Sequence, residues 1–443
     1  MPAEPAHAAG RGAGRREGGP LVNVGESARQ VTGCRVCGGS DWQDVVSFGP
    51  VPLANGFLPP AESYEDEPYY PLGVISCRSC RLMSVTHVVD PEVLYRSYSY
   101  VTSDSETMTR HMGRVAETCC KRGGLAAGDL VVELGSNTGQ QLAEFRRAGM
   151  RVLGVDPARN LAEVASERGI PTLPEFFSAE SAGTVRAEHG PARLILGRHV
   201  FAHIDDLAGV LAGARALLGP GGIFAIEVPY AVDLLEQAAF DTIYHEHLSY
   251  FLVRTLATLF ERHGLCALDV ERFPVHGGSI LVFAGRSEDG LTPGPAVADL
   301  ISLEERAGLF DDAAYRDFAR HTDRVRRELP VLVRRLVAEG KRVAGYGASA
   351  KGTTILNICG LGPAEVEFCI DTTVLKQDKV LPGTHIPVHS PDHVEVRPPD
   401  YFLLLAWNYA TEIFQKEAGF LASGGRFIVP FPTPTVVSAE SLG

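Results

Sequence analysis

Twice in this chain a short β-branched run passes through a glycine-spaced turn into helix-forming sequence: Val131-Val132-Glu133-Leu134-Gly135-Ser136-Asn137-Thr138-Gly139, and again Val343-Ala344-Gly345-Tyr346-Gly347-Ala348-Ser349-Ala350-Lys351-Gly352. Such a repeat leaves little choice of fold. A strand followed by a helix returns to its sheet in the parallel direction, because the helix supplies the length of the return and covers an apolar face on the way. Similar runs alternate with amphipathic sequence around each turn. They are Leu130 to Leu134, Val152 to Val155, Leu194 to Leu196 and Ile223 to Val228 around the first, and Arg342 to Ala344, Val366 to Ile370, Tyr401 to Leu405 and Arg426 to Val429 around the second. A charged helical stretch, residues 295–339, separates the blocks. At 443 residues the chain also exceeds what one hydrophobic core organises, so the pattern predicts an α/β protein with two parallel-sheet domains.

The first hundred residues read differently. Residues 1–30 are rich in Gly, Ala and Arg with few large apolar side chains, a composition that cannot offset the entropy of ordering, and a disordered tail is expected. Residues 31–100 carry Cys34-x2-Cys37 and Cys77-x2-Cys80 around a stretch rich in Pro, Gly and aromatics. Two such knuckles supply four thiolates in a tetrahedron, the closed coordination of structural zinc, with no open position for catalysis. Cys34, Cys37, Cys77 and Cys80 are therefore expected to hold a small module together, while Cys119, Cys120, Cys266, Cys359 and Cys369 read as core thiols. No apolar run approaches the ~20 residues that cross a bilayer, and the start lacks the apolar block of a secretory signal, so a cytoplasmic protein without a membrane partner is expected. A formal charge of −13 argues against nucleic acid as the partner. An anionic small molecule can still meet a local positive pocket.

Glu133-x-Gly135-x3-Gly139 ends a strand and opens a helix, where glycines let a ligand approach the backbone. Gly154-Val155-Asp156 ends the next strand about 20 residues on, placing a carboxylate where a ribose diol would donate to it. A dinucleotide dehydrogenase carries a second glycine two residues after the first. The spacing here resembles instead the S-adenosylmethionine site of class I methyltransferases. That resemblance implies Glu133 and Asn137 near the methionine part, Gly135 and Gly139 shaping the turn, Asp156 on the ribose, and Phe176 or Phe177 beside the adenine. In the last block, Gly345-x-Gly347-x3-Lys351-Gly352 offers backbone N–H groups and a helix N-terminus to phosphates. Gly347, Ser349, Lys351, Lys376 and Asn408 are candidates for contacts with a pyrophosphate or a base. Taken alone this block imitates an NAD-binding fold, except that Lys351 displaces the third glycine.

Between Asp241 and Phe251 stand Tyr244-His245-Glu246-His247, four groups that donate, accept or shuttle protons. Burying one such group unpartnered costs on the order of 2 kcal/mol or more, so four in a row belong to a segment facing a cleft or solvent. A straight strand would divide them between two faces, and a bent segment lining a reaction pocket is the better reading. Methylating a carbon needs a carbanion: a base takes a proton from beside a carbonyl while a donor stabilises the enolate oxygen. Histidine and tyrosine suit those two jobs. His203 follows the fourth strand and so reaches the carboxyl edge of the sheet, and Tyr98, just ahead of the first sheet, closes the pocket from the zinc side.

The order of parts is a four-cysteine module, the Glu133 motif, Tyr244-His245-Glu246-His247-Leu248-Ser249-Tyr250-Phe251, His276-Gly277-Gly278-Ser279, and Gly345 to Gly352. From about residue 32 to the end this order resembles the sugar-nucleotide C-methyltransferases of antibiotic deoxysugar biosynthesis. The resemblance implies a three-domain monomer: an N-terminal zinc-binding module (31–100), a central class I methyltransferase Rossmann-like domain (101–294), and a C-terminal second Rossmann-like domain (295–443) that holds the nucleotide end of a TDP-4-keto-6-deoxysugar. It further implies site positions at Tyr98, His203, Tyr244, Glu246 and His247. His247 would be the base for the C3 proton, and Tyr98, His203 or Tyr244 the donor to the enolate oxygen. Glu246 would position a sugar hydroxyl or tune His247. C3 follows family frequency; C5 is the alternative. An O- or N-methyltransferase of a small metabolite, and an NAD-dependent sugar oxidoreductase, are the competing readings. His199 stands where a small amide is expected.

Overall fold

The computed structural model describes residues 27–95 and 105–442. Its central sheet has seven strands in the order Leu265–Phe273, Ser279–Arg286, Leu218–Pro229, Ala192–Arg198, Leu130–Leu134, Arg151–Val155 and Thr172–Leu173. From Leu218–Pro229 onward these are parallel, and the hairpin at the other edge is antiparallel. Leu130–Leu134 is buried at every position, as a strand with both faces covered must be. Its side chains alternate: Val131 joins Leu194 and Leu196 under Val115, Leu142 and Phe145, whereas Val132 joins Ile195 under Val185, Leu207 and Leu211. Those partners lie on helices Glu106–Gly123 and Gln140–Arg147 on one face, and Ala179–His189 and Leu207–Leu217 on the other. The order reverses between Leu130–Leu134 and Ala192–Arg198, which opens the crevice where open α/β sheets bind ligands.

The C-terminal sheet has six strands, ordered Val388–His389, Cys369–Ile370, Val343–Tyr346, Tyr401–Leu404, Arg426–Val429 and Thr435–Val437, all parallel except the last. The strand expected over Val366 to Ile370 shortens to Cys369–Ile370, because the Val366 N–H turns back to the Gly362 carbonyl at 2.9 Å. The helical stretch before it is two helices, Pro295–Arg306 and Asp312–Ala338, parted where Gly308 takes φ 70°.

In the N-terminal module, Trp42–Pro52, Tyr69–Cys77 and Met83–Val85 form an antiparallel sheet whose fourth strand is Ser249–Tyr250, contributed by the chain just after the tetrad. The tail expected over residues 1–30 is corrected at its end: Ala28–Gln30 is a strand paired with His87–Val89, whose backbone bonds offset the ordering that composition alone could not. No helix among the described residues is long and apolar enough to cross a membrane.

Candidate active site

At the carboxyl edge of Leu130–Leu134 the chain turns through Gly135 at φ 63° and Gly139 at φ 76°. A β-carbon at Gly135 would lie 2.8 Å from Val200 Cγ2, and one at Gly139 would lie 2.9 Å from Ile170 Cβ, so both positions require glycine. Asn137, at φ 51°, donates its backbone N–H to Asp156 Oδ2 at 2.8 Å, while Asp156 Oδ1 accepts from Ala158 N–H at 2.9 Å. Glu133 Oε2, Ser136 Oγ and Thr138 Oγ1 are buried around this turn without hydrogen-bond partners among the described residues. Orphaned acceptors and hydroxyls beside a glycine turn fit the polar end of an S-adenosylmethionine. Burial pushes the Glu133 carboxyl up to about 8, against the pull of Arg198. Phe176 is 47% exposed, and Phe177 is half-buried against the helix Leu207–Leu217.

The four cysteine sulfurs of the module lie within 4.8 Å of one another, with Cys34 and Cys80, and Cys37 and Cys77, each 3.5 Å apart. Zn–S bonds of about 2.3 Å set tetrahedral sulfurs about 3.8 Å apart, so the cluster fits one zinc ion.

The tetrad is a turn: the His247 N–H bonds to the Tyr244 carbonyl at 2.9 Å. That bend brings Tyr244 and His247 onto one side, with the Tyr244 hydroxyl 2.7 Å from His247 Nε2. His247 Nδ1 lies 2.7 Å from the Thr242 carbonyl, which only accepts, so Nδ1 carries the proton and Nε2 is the acceptor for Tyr244. Burial, reinforced by His203, holds His247 well below the usual imidazole range and so neutral. The His203 ring centre is 5.0 Å from that of His247, its Nε2 has no partner among the described residues, and burial pushes it down to about 3. Glu246 Oε1 accepts from Asn55 Nδ2 at 2.6 Å. His245 points elsewhere: its Nε2 donates to the Tyr70 carbonyl at 3.2 Å. Tyr98, expected at this pocket, lies outside the described residues.

From the C-terminal domain, Lys351 turns toward the central domain, donating from Nζ to the His276 carbonyl at 2.9 Å with the Trp407 ring centre 5.1 Å away. Trp407 Nε1 donates to Asp241 Oδ2 at 2.6 Å, while Asp241 Oδ1 is buried without a partner among the described residues. Burial raises the Asp241 carboxyl to about 6, opposed by Lys351. Ser349 caps its helix, accepting from Gly352 N–H at 3.0 Å, and Gly347, at φ 87°, packs on Ala406. Lys376 Nζ donates to the Ala348 carbonyl at 2.9 Å and sits 3.5 Å from Asp371. Asn408 is half-buried in the short helix Trp407–Tyr409. His199 and His276 both take left-handed backbone, at φ 53° and 55°, and their rings meet edge to face at 4.4 Å. Behind His199, Glu227 takes His111 Nε2 at 2.5 Å and Arg198 Nε at 2.8 Å. Burial alone would raise Glu227, but Arg198 and the two histidines outweigh it and keep the carboxylate ionised. Asn55, Asp241 and Trp407 escaped the reading of the sequence, and only the rarity of tryptophan, with 2 in the chain, pointed to the last.

Three family models match in the same order: a zinc binding domain over residues 34–95, a methyltransferase domain over 108–270, and a C-methyltransferase C-terminal domain over 274–432. The C-methyltransferase NovU of Streptomyces niveus is 53% identical over 413 residues, covering 93% of this chain and 98% of that protein. The chain belongs to the C-methyltransferases. Among solved structures, magnesium protoporphyrin IX methyltransferase from Synechocystis matches at TM-score 0.32 and 13% identity, over 40% of this chain and 79% of that one. The PH0226 protein from Pyrococcus horikoshii matches at TM-score 0.33 and 12% identity, over 44% and 98%. This C-methyltransferase uses S-adenosylmethionine as methyl donor and carries structural zinc on its four-cysteine cluster.

Proposed function

We propose that this enzyme methylates a carbon beside the ketone of a TDP-4-keto-6-deoxysugar, with His247 as the base. The observation that carries the reading is the chain from Tyr244 hydroxyl to His247 Nε2 to the Thr242 carbonyl. It fixes a neutral imidazole with its basic nitrogen next to a hydroxyl donor, the pair that enolisation of a ketone requires. The substrate's carbonyl oxygen draws the Tyr244 hydroxyl to itself and frees His247 Nε2. The C–H bond then breaks, its proton passes to Nε2, and its electron pair moves into the enolate, whose oxygen Tyr244 or His203 steadies. S-adenosylmethionine, when bound, supplies the electrophilic methyl group that such a carbon takes. Glu133, Gly135, Asn137, Gly139 and Asp156 would hold it, with Phe176 or Phe177 at the adenine. Glu246 orients a sugar hydroxyl or tunes His247, Tyr98 is a further candidate donor to the enolate oxygen, and Gly347, Ser349, Lys351, Lys376 and Asn408 are the candidate contacts of the nucleotide half.

The carbon is C3 in the first reading and C5 in the second, since both flank the ketone and are acidified equally by it. The protein is read as a monomer of the cytoplasm, whose reducing conditions keep the cluster's thiols available for zinc. The test is incubation with methyl-labelled S-adenosylmethionine and a panel of TDP-4-keto sugars, followed by NMR of the branched carbon. Label on a quaternary carbon supports the reading and identifies the position. Label on oxygen or nitrogen overturns it.

A further inference from the structure

The zinc-held module runs directly into the catalytic turn. Ser249 and Tyr250, just past the tetrad, pair with Ser84 and Met83 as the module's fourth strand. Arg35, between two of the cysteines, donates to the Leu248 carbonyl at 2.8 Å. His245 is bonded to the carbonyl of Tyr70, which lies opposite Val51 in the module's main hairpin. The register of that hairpin also sets Cys77 opposite Trp42, so a zinc ligand closes the far end of the element that holds His245.

Asn55 extends from the near end. It follows the strand Trp42–Pro52 in a turn closed by the Gly56 N–H to the Leu53 carbonyl at 3.0 Å. On one side Ala54 is buried and shares a wall with Tyr244, Thr353 and Thr354. On the other, Leu58 exchanges backbone bonds of 3.2 and 2.9 Å with Val380 of the C-terminal domain. Pinned at both ends, the turn delivers the Asn55 amide to Glu246 Oε1 at 2.6 Å, where Glu246 is only 4% exposed. A glutamate reaches its carboxyl group through freely rotating carbons, and a short bond from a fixed amide selects one of its orientations.

We propose that Asn55 is a positioning residue for the reaction, aiming the Glu246 carboxyl at the substrate, and that the zinc module is thereby a working wall of the catalytic centre. This rests on the reading of the tetrad given above. The zinc ion does no chemistry in this scheme; it stiffens the hairpin that carries the turn.

The test is a double-mutant cycle of Asn55→Ala and Glu246→Ala in the full-length, zinc-loaded enzyme, with TDP-4-keto-6-deoxyglucose as probe. Zinc content and S-adenosylmethionine affinity are measured on each variant. Asn55→Ala is expected to lower kcat about 10- to 100-fold, the range in which a misaimed group costs rate without loss of binding. Zinc and methyl-donor affinity stay unchanged, and the loss disappears in the Glu246→Ala background. Should Asn55→Ala fail to fold, the isosteric Asn55→Asp carries the test, since it sets a second carboxyl group against Glu246 in the same space and is expected to lower kcat at least as far. Equal losses with and without Glu246, or wild-type kcat in both Asn55 variants, overturn the inference alone. Wild-type kcat in Glu246→Ala overturns the reading of the tetrad and the inference with it.

Discussion

His245 is the member of the tetrad that does no chemistry in the scheme above, and its burial makes a measurable demand on stability. Its side chain is 1% exposed, its Nε2 is bonded to the Tyr70 carbonyl, and its Nδ1 has no partner among the described residues. Desolvation is the leading cause that lowers its pKa from 6.5 to about 4. The folded protein therefore refuses a proton that the unfolded chain accepts between those values, and stability present above pH 6.5 is lost as the pH falls toward 4. Each pH unit of that interval is worth about 1.4 kcal/mol, so acidification to pH 5 removes about 2 kcal/mol through this one ring. Glutamine in its place keeps a donor at the Nε2 position for Tyr70 but cannot titrate. Urea unfolding of the wild type and of His245→Gln, at pH 7 and pH 5 in saturating zinc, measures the difference. The variant is expected to be the less stable at pH 7 and to lose about 2 kcal/mol less than the wild type on acidification. Parallel losses in the two proteins would show that His245 is not held neutral by burial and refute the reasoning.

His247→Asn is expected to slow methyl transfer by about 10²- to 10⁴-fold, the worth of a general base, and to stop deuterium exchange at the carbon beside the ketone, with S-adenosylmethionine binding by calorimetry unchanged. Gly135→Ala, which forces a β-carbon to 2.8 Å from Val200 at φ 63°, is expected to destabilise the protein by about 1–3 kcal/mol and to weaken methyl-donor binding, read by thermal denaturation and calorimetry. A strong chelator is expected to release one zinc ion per chain and abolish turnover while the central sheet, seen by circular dichroism, persists. Asp241→Ala removes the acceptor of the Trp407 indole and the carboxyl facing Lys351, and is expected to raise KM for the sugar nucleotide more than it lowers kcat.

The parallel blocks were legible because a strand covered on both faces leaves a nearly unbroken apolar run, as at Leu130–Leu134. The cysteine cluster was legible from spacing, and the bend of the tetrad from the division that a straight strand would impose on it. The burial cost misled for His245, which is 1% exposed and bonded to the Tyr70 carbonyl instead of facing a cleft. What local pattern does not carry is partnership across long separations: Asn55 and Glu246 are 191 positions apart, and Asp241 and Trp407 are 166. Nor does spacing reveal which way a side chain leaves a glycine turn. Lys351 stands at a helix N-terminus, yet its ammonium group follows the Trp407 ring and the His276 carbonyl into the cleft between domains. The strand expected from Val366 contracts for a similar reason, since the turn bonded to Gly362 competes for the same backbone donor.

Because Ser249–Tyr250 completes the sheet of the cysteine module, the polypeptide enters that small domain twice. A truncation that drops the first hundred residues would strand those two residues as an uncovered edge, ready to pair with a neighbour and precipitate. Chimeras assembled from relatives must accordingly exchange the amino-terminal segment and the stretch through Tyr250 as one cassette, or the recipient inherits a seam in which each half lacks its mate.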